Sequence, residues 1–143
     1  MAEQLEFPFE GIQKMEDTQK DRLSKLFALQ RKFMDLLGIP ETECMTLETR
    51  EKQIAGLILA IHCECDEILD EKQNGIQWKP WREYKDRGAL AQSQSRQYVV
   101  EELIDILHFF LEICILMQVG PGELFQEYEK KMKINIGRQA SGY

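Results

Sequence analysis

The segment from Tyr98 to Met117 constrains the fold more than any other part of the chain, because it is apolar on nearly every face of a helix. A helix of this kind belongs in the interior of a protein. The segment nevertheless contains Glu102, Asp105 and Glu112, and no lysine or arginine occurs between Arg96 and Lys130. Burying an unpaired carboxylate costs several kcal/mol. We therefore expect a central helix whose carboxylates face a compensating cation.

Three further helices accompany the central one, which we place at about residues 96–118. Apolar residues recur at steps of three and four in the second helix, and glycine, often with proline, follows the ends of the first three. Nothing in the chain reads as a series of alternating strands. The predicted fold class is therefore all-α, a helical bundle of about four main helices. The predicted bounds of the other three helices are 13–37, 47–73 and 123–136.

A chain of 143 residues is long enough for one hydrophobic core, so we expect a single domain over residues 1–143. In this prediction residues 1–12 are an N-terminal extension and residues 137–143 a short C-terminal tail. The connection at 75–95 is a candidate lid, because such long loops in compact domains are uncommon and usually functional. So apolar a central helix needs partner surface, which predicts self-association as a homodimer or homotetramer.

The formal net charge of −7 argues against non-specific binding of nucleic acid. The four cysteines lack the spacing of a disulfide framework, which is typical of a reducing compartment. The N-terminal segment is acidic and lacks the apolar stretch of a signal peptide. The longest apolar run is far shorter than the ~20 residues that cross a bilayer. We expect a cytoplasmic protein that binds neither nucleic acid nor membranes.

Four acidic residues form two pairs at helical spacing, Glu64 with Glu67 and Glu102 with Asp105. Residues three apart share a helix face, so each pair can direct two carboxylates at one point. Two such pairs facing each other make a set of hard oxygen ligands that suits Mg²⁺, which is usually held by carboxylates, water and substrate phosphates. The spacing predicts a metal-dependent enzyme acting on a phosphate compound. A solvated acidic flank on the second helix is the simpler alternative.

Two other metals are compatible with parts of the sequence. His108 follows Asp105 at a three-residue step, as in the Glu-x-x-His motif of di-iron bundles, so iron stays an alternative, although only one helix offers such a histidine. The run His62-Cys63-Glu64-Cys65 contains zinc-ligand types. Adjacent helical residues face different directions, however, and the usual zinc spacings are absent.

Two further segments have both a structural and a functional interpretation. Trp78-Lys79-Pro80-Trp81 either closes one end of the bundle or supplies an indole that stacks on a flat ring. Lys131, Asn135 and Arg138 step by four and then three residues, so they share one helix face. They either complement the helix dipole or present an ammonium, an amide and a guanidinium to a polyphosphate.

Together these motifs resemble the all-α nucleoside triphosphate pyrophosphatases, a superfamily that includes the dimeric dUTPases and the MazG-type pyrophosphohydrolases. Its metal motif is similar to Glu64-x-x-Glu67 followed by Glu102-x-x-Asp105. The dimeric dUTPase branch also has an aromatic loop like Trp78-Lys79-Pro80-Trp81 and a C-terminal motif like Lys131-x-x-x-Asn135-x-x-Arg138-Gln139-x-x-Gly142-Tyr143. The resemblance covers about residues 20–143.

The resemblance implies Mg²⁺-dependent hydrolysis of a deoxynucleoside triphosphate to a monophosphate and pyrophosphate, with dUTP favoured. It assigns Mg²⁺ binding to Glu64, Glu67, Glu102 and Asp105, and it makes Glu67 the group that helps to take a proton from the attacking water. It assigns the distal phosphates to Lys131, Asn135 and Arg138, and the base and sugar to Gln30 and Trp81. Met34 stands where some dimeric dUTPases carry an asparagine that helps to read the nucleoside, so the base stays open.

Two alternatives to dUTP hydrolysis stay open. The same chemistry on another deoxynucleoside triphosphate, such as a purine nucleotide, is expected of a MazG-like enzyme. A non-catalytic helical module would instead bind a partner protein through its apolar helix and its tryptophans.

Overall fold

The computed structural model describes residues 21–70, 75, 76, 78, 81 and 94–142, and the helices in this part of the chain confirm the all-α fold class. The four α-helices are α1 at Arg22–Leu36, α2 at Leu47–Ile68, α3 at Gln94–Leu116 and α4 at Pro121–Ala140. A short 3₁₀ helix at Thr42–Cys44 joins α1 to α2. The predicted N-terminal extension and most of the 75–95 connection lie outside the described residues.

Three of the helices begin at residues suited to that position. The Asp21 side chain accepts a hydrogen bond of 2.7 Å from the backbone N–H of Ser24 at the start of α1. Thr46 caps α2 in the same way by accepting from the N–H of Thr49. Pro121 occupies the first turn of α4, where its missing N–H costs nothing. The last helix continues to Ala140, so the predicted end at residue 136 is too early.

The α2 helix ends at Ile68, before the predicted end at residue 73, because the chain turns back on the helix end. The N–H of Ile76 donates to the carbonyl of Ile68 at 2.6 Å, and the N–H of Gly75 donates to that of Asp70 at 2.9 Å. A Cβ on Gly75 would lie 2.5 Å from the Ile68 carbonyl oxygen. Glycine is therefore the residue that fits this close approach.

Antiparallel packing of α2 and α3 brings the two acidic pairs together. Gln53, near the start of α2, donates to Glu112, near the end of α3, at 2.9 Å. At the opposite end of the pair, Glu64 lies beside Glu102. The two helices therefore run in opposite directions, and the two acidic pairs lie together at one end of the packed helices.

The buried core is small and is shared by α1, α3 and the segment before α2. One cluster consists of Phe27, Leu111 and Cys114, and a second consists of Met34, Met45 and Leu116. Met34 is fully buried in that second cluster. Its side chain packs in the core.

Large apolar side chains remain exposed on every helix of the described chain. On α3, Leu103 is half exposed and Ile104 and Phe110 are more than 40% exposed, so the prediction that α3 is buried on nearly every face is wrong for a single chain. Neither α2 nor α4 contains a fully buried residue. Within the described residues no single helix is long and apolar enough to span a membrane, and α3 and α4 pass that test only as a pair bent by 106°.

Candidate metal centre

Three of the four predicted metal ligands converge at one point. Glu64 and Glu67 on α2 and Glu102 on α3 each offer a carboxylate oxygen, and these oxygens lie within 4.8 Å of one another. Glu102 is buried, Glu64 is half-buried and Glu67 is exposed. The cluster is therefore anchored inside the helix packing and opens to solvent at Glu67.

The electrostatics of the cluster favour a bound cation. Burial raises the pKa of the Glu102 carboxyl above its ordinary value, and the hydrogen bond and negative charge of Glu64 add to this effect. The ligand atoms are all carboxylate oxygens, the hard donors that suit Mg²⁺ rather than a soft metal. A divalent cation held by these three groups would offset their mutual repulsion.

The fourth predicted ligand, Asp105, is near this cluster but is not one of the three converging groups. It follows Glu102 by three residues on α3, and its charge contributes to the raised pKa of the Glu102 carboxyl. Its side chain is exposed. Its role as a metal ligand stays a prediction.

Tyr98 is a neighbour of the cluster that sequence reasoning missed. It lies one turn before Glu102 on α3, and its hydroxyl donates to the backbone carbonyl of Glu67 at 3.4 Å. Burial raises the pKa of the Tyr98 phenol, and the charges of Glu102, Glu67 and Asp70 raise it further. The sequence did indicate this contact, because Tyr98 precedes Glu102 by one helical turn. Its apolar neighbours instead suggested a residue of the hydrophobic core.

A second group of polar side chains lies on the same helices, further from the α2 terminus. Glu112 accepts from Gln30 of α1 at 3.4 Å and from Gln53 of α2 at 2.9 Å, and Nδ1 of His108 lies 2.7 Å from the Gln30 carbonyl oxygen. Glu112 is thus compensated by two amides, where the sequence suggested a cation. Gln30 is only 2% exposed, and its predicted contact with the base or sugar stays a prediction.

The aromatic loop is partly within the described residues. Trp78 and Trp81 meet edge to face, with ring centroids 6.0 Å apart. Trp81 is 71% exposed, so most of its indole surface is open to solvent. Stacking of this ring on a base stays a prediction, and Lys79 and Pro80 lie outside the described residues.

The predicted phosphate-binding residues Lys131, Asn135 and Arg138 lie on α4 and are exposed. Apart from its first turns, α4 projects away from the core, since its axis lies at 106° to that of α3 and its main contacts are with α1. Within one chain, the face of α4 that carries these three residues therefore does not lie along α2 and α3, the helices that carry the carboxylates. Phosphate binding by these residues stays a prediction.

The acidic group is the one metal-ligand cluster found within the described part of the chain. His108, the residue that suggested iron, is held by Gln30 and is not part of it. His62, Cys63 and Cys65 are exposed residues of α2 that do not converge with one another on a common point. The structure therefore favours the oxygen-ligand interpretation over the two nitrogen- and sulfur-ligand ones.

Known proteins match the part of the chain that contains this cluster. The model of the dUTPase family matches residues 22–124, which is more than half of the chain. The dCTP pyrophosphatase of Enterobacteria phage T4 is 32% identical over 78 residues, which cover 51% of this chain and 46% of that protein. The dCTP pyrophosphatase of Enterobacteria phage LZ5 is 33% identical over 78 residues, which cover 51% and 45%. The match spans less than half the length of these curated relatives, and no solved structure gave a significant match.

The family match and the two relatives place the chain in the class of nucleoside triphosphate pyrophosphatases, and the all-α fold with converging carboxylates agrees with that class. Within that class, the chain belongs to the dUTPase family. The resemblance drawn from the sequence is thereby confirmed at the level of the family, and a relation to the MazG-type branch stays a prediction. The family match includes all four predicted metal ligands and ends before Lys131.

Proposed function

We propose that this protein is a Mg²⁺-dependent nucleoside triphosphate pyrophosphohydrolase. The observation that carries the proposal is the convergence of Glu64, Glu67 and Glu102 within 4.8 Å. Three carboxyl groups this close together must either be partly protonated or have a cation that compensates their charge. Membership of the dUTPase family and the similarity to phage dCTP pyrophosphatases support the same activity.

In the proposed reaction a water oxygen bonds to the α-phosphorus of the nucleotide while the bond from that phosphorus to the bridging oxygen breaks. The products are a nucleoside monophosphate and pyrophosphate. Glu67 is the exposed member of the cluster, so it is the carboxylate placed to accept the proton of the water. Glu64, Glu67, Glu102 and Asp105 would hold Mg²⁺, which would supply positive charge to the phosphates and acidify water.

The favoured substrate is dUTP, since the family model is that of the dUTPases. A second candidate is dCTP, because both phage relatives are named as dCTP pyrophosphatases. The two pyrimidines differ at the 4-position, where uracil carries an oxygen and cytosine an amino group. Both substrates use the same carboxylates, so the choice between them affects the base site alone.

The test is pyrophosphate release from each deoxy- and ribonucleoside triphosphate in turn, with and without Mg²⁺. Selective turnover of dUTP or of dCTP in the presence of Mg²⁺ is the expected result. Turnover of a purine triphosphate instead would retain the chemistry and overturn the pyrimidine assignment. Release from no nucleotide would favour the non-catalytic binding module and would overturn the proposal.

We further propose that the protein is a homodimer. On α1 and on α4, large exposed apolar side chains recur at helical spacing: Leu26, Leu29, Phe33 and Leu36 on the former, and Phe125, Tyr128, Met132 and Ile136 on the latter. Each set forms one stripe along its helix. A second copy of the chain presents the same two stripes, so a two-fold arrangement covers them reciprocally.

In the proposed homodimer the predicted phosphate-binding residues would lie next to the partner chain. Around the helix, Lys131, Asn135 and Arg138 lie about a quarter of a turn from the apolar stripe of α4. Once the stripe packs on a partner, this polar face lies along the partner's surface. We propose that these residues hold the distal phosphates of a nucleotide bound at the carboxylates of the partner.

Mixing two inactive variants tests this arrangement. Glu67→Gln removes the proton acceptor and Arg138→Ala removes a phosphate ligand, so each homodimer alone should be inactive or nearly so. Heterodimers formed after dissociation and reassociation contain one site with neither change if the residues come from different protomers. Recovered activity is expected, and its absence in a mixture shown to contain heterodimers would contradict phosphate binding by the partner. Sedimentation of the wild-type protein separately decides between monomer, dimer and tetramer.

A further inference from the structure

A partly buried polar network joins three helices, further along the α2–α3 packing than the carboxylate cluster. It consists of Gln30 on α1, Gln53 on α2, and His108 and Glu112 on α3. Gln30 and Glu112 are only 2% and 5% exposed. None of these four side chains belongs to the carboxylate cluster, so the network has no role in the chemistry proposed above.

Glu112 accepts hydrogen bonds at one end of this network, and it thereby fixes the orientation of the Gln30 amide. Each carboxylate oxygen of Glu112 accepts from a different glutamine, one from Gln53 and the other from Gln30. An ionised carboxylate can only accept hydrogen bonds. Gln30 must therefore present its NH₂ group to Glu112, and its carbonyl oxygen then points the other way, to His108.

The orientation of Gln30 in turn fixes the tautomer of His108. The Gln30 carbonyl oxygen lies 2.7 Å from Nδ1 of His108, and it is an acceptor, so Nδ1 must carry the proton. A neutral imidazole has one N–H, which leaves Nε2 as an acceptor. Nε2 has no hydrogen-bond partner among the described residues, and the side chain of His108 is exposed.

His108 also lies where a bound nucleotide is expected. It follows Asp105 by three residues on α3, so the two are neighbours on the helix surface. The ring of Phe33 lies beside it at a centroid distance of 5.9 Å and a tilt of 51°. An outward-facing acceptor next to an aromatic ring, about one turn beyond the predicted ligand Asp105, is a suitable contact for a nucleoside.

We propose that Glu112 is a positioning residue for nucleotide recognition: through Gln30 it holds His108 in the Nδ1–H tautomer, and Nε2 accepts a hydrogen bond from an N–H or O–H group of the nucleoside. The part that concerns the nucleotide rests on the proposed function. The part that concerns the tautomer does not. Glu112 contacts no substrate in this arrangement and acts entirely through two other side chains.

The imidazole nitrogen resonances test the tautomer directly. The chain has two histidines, so ¹⁵N-labelled protein carrying His62→Gln leaves His108 as the single imidazole. Spectra recorded at about pH 8.5, where histidine is ordinarily neutral, should show the proton on Nδ1. A predominant Nε2–H tautomer in this otherwise unchanged protein would overturn the proposal without any further variant.

Two substitutions separate the charge of Glu112 from its packing. Glu112→Gln keeps the shape but allows the amide introduced at position 112 to donate to Gln30, which lets the Gln30 amide reverse. The Nε2–H tautomer should then become populated. Gln53→Met removes the other partner of Glu112 and leaves the Gln30 orientation unchanged, so this control should retain Nδ1–H. The same tautomer in all three proteins would overturn the role of Glu112.

Kinetics test the nucleotide contact. For the preferred substrate, Glu112→Gln should raise KM by about threefold to tenfold, the range for one hydrogen bond, with kcat changed by less than about twofold. A 2′,3′-dideoxynucleotide distinguishes the donors: if KM no longer responds to Glu112→Gln, the donor is the 3′-hydroxyl, and if it still responds, the donor is on the base. An unchanged KM with normal turnover would overturn nucleotide recognition by His108. Absence of turnover from every nucleotide would instead overturn the proposed function, while the tautomer result would stand.

Discussion

The substitution Glu102→Gln should make the metal-free protein more stable and the metal-bound protein less stable than the wild type. Two unit charges at the upper limit of separation in the cluster, 4.8 Å, repel by about 3.5 kcal/mol at an effective dielectric constant of ~20. Solvent screens part of this repulsion, because Glu64 is half-buried and Glu67 is exposed. We therefore expect a gain of about 1–2 kcal/mol in the free energy of unfolding without Mg²⁺.

The pH dependence has a defined sign. The pKa of the Glu102 carboxyl is raised in the folded protein, so the native state binds a proton more tightly than the unfolded state. Its contribution to stability is complete below the ordinary carboxyl pKa and is lost as the pH rises through the raised value. Without Mg²⁺, the wild type should lose stability as the pH rises over this interval, and Glu102→Gln should lose less.

Thermal unfolding with EDTA or with saturating Mg²⁺ measures both effects. A chain of this length shifts its Tm by roughly 4 °C per kcal/mol. At a Mg²⁺ concentration of about 100 times Kd the wild type should gain about 2.7 kcal/mol, a gain that Glu102→Gln should largely lose. Glu101→Gln is the matched control, because it removes an exposed carboxylate one residue away and should respond to Mg²⁺ like the wild type. Equal destabilisation by Glu102→Gln with and without Mg²⁺ would refute the charge-repulsion argument.

Three further predictions concern the neighbourhood of the cluster. Glu67→Gln should abolish pyrophosphate release while the circular dichroism spectrum stays that of the wild type; retained activity would exclude Glu67 as the proton acceptor. Gly75→Ala should destabilise the protein by about 1–3 kcal/mol in urea unfolding, because its Cβ would meet the Ile68 carbonyl; its control, Gly56→Ala inside α2, has open space and should stabilise by about 0.5–1 kcal/mol. Mg²⁺ should lower the raised pKa of the Tyr98 phenol, since it neutralises neighbouring charges; the phenolate absorption lost in Tyr98→Phe reports this pKa, and no response to Mg²⁺ would argue against a metal beside Tyr98.

The helices and the acidic cluster were predictable because both depend on local spacing. Glu64 and Glu67 share a face of one helix whatever packs against it, and the same holds for Glu102 and Asp105. Antiparallel packing of neighbouring helices then brings the pairs together. The end of α2 was less predictable, since it depends on hydrogen bonds from Gly75 and the residue after it, which reach the helix end only when the chain turns back.

The polar network could not be predicted, because its members are far apart in the sequence and belong to three helices. Glu112 alone suggested a buried charge in need of compensation, and a cation was the economical choice. Two glutamines compensate it instead, since an amide N–H can satisfy a carboxylate without introducing a second charge. Gln30 and Gln53 carry no sequence signal of this role, for glutamine is common on exposed helix faces. The inward direction of their side chains follows from how α1 and α2 pack on α3, and that packing is what links a buried carboxylate to the exposed ring of His108.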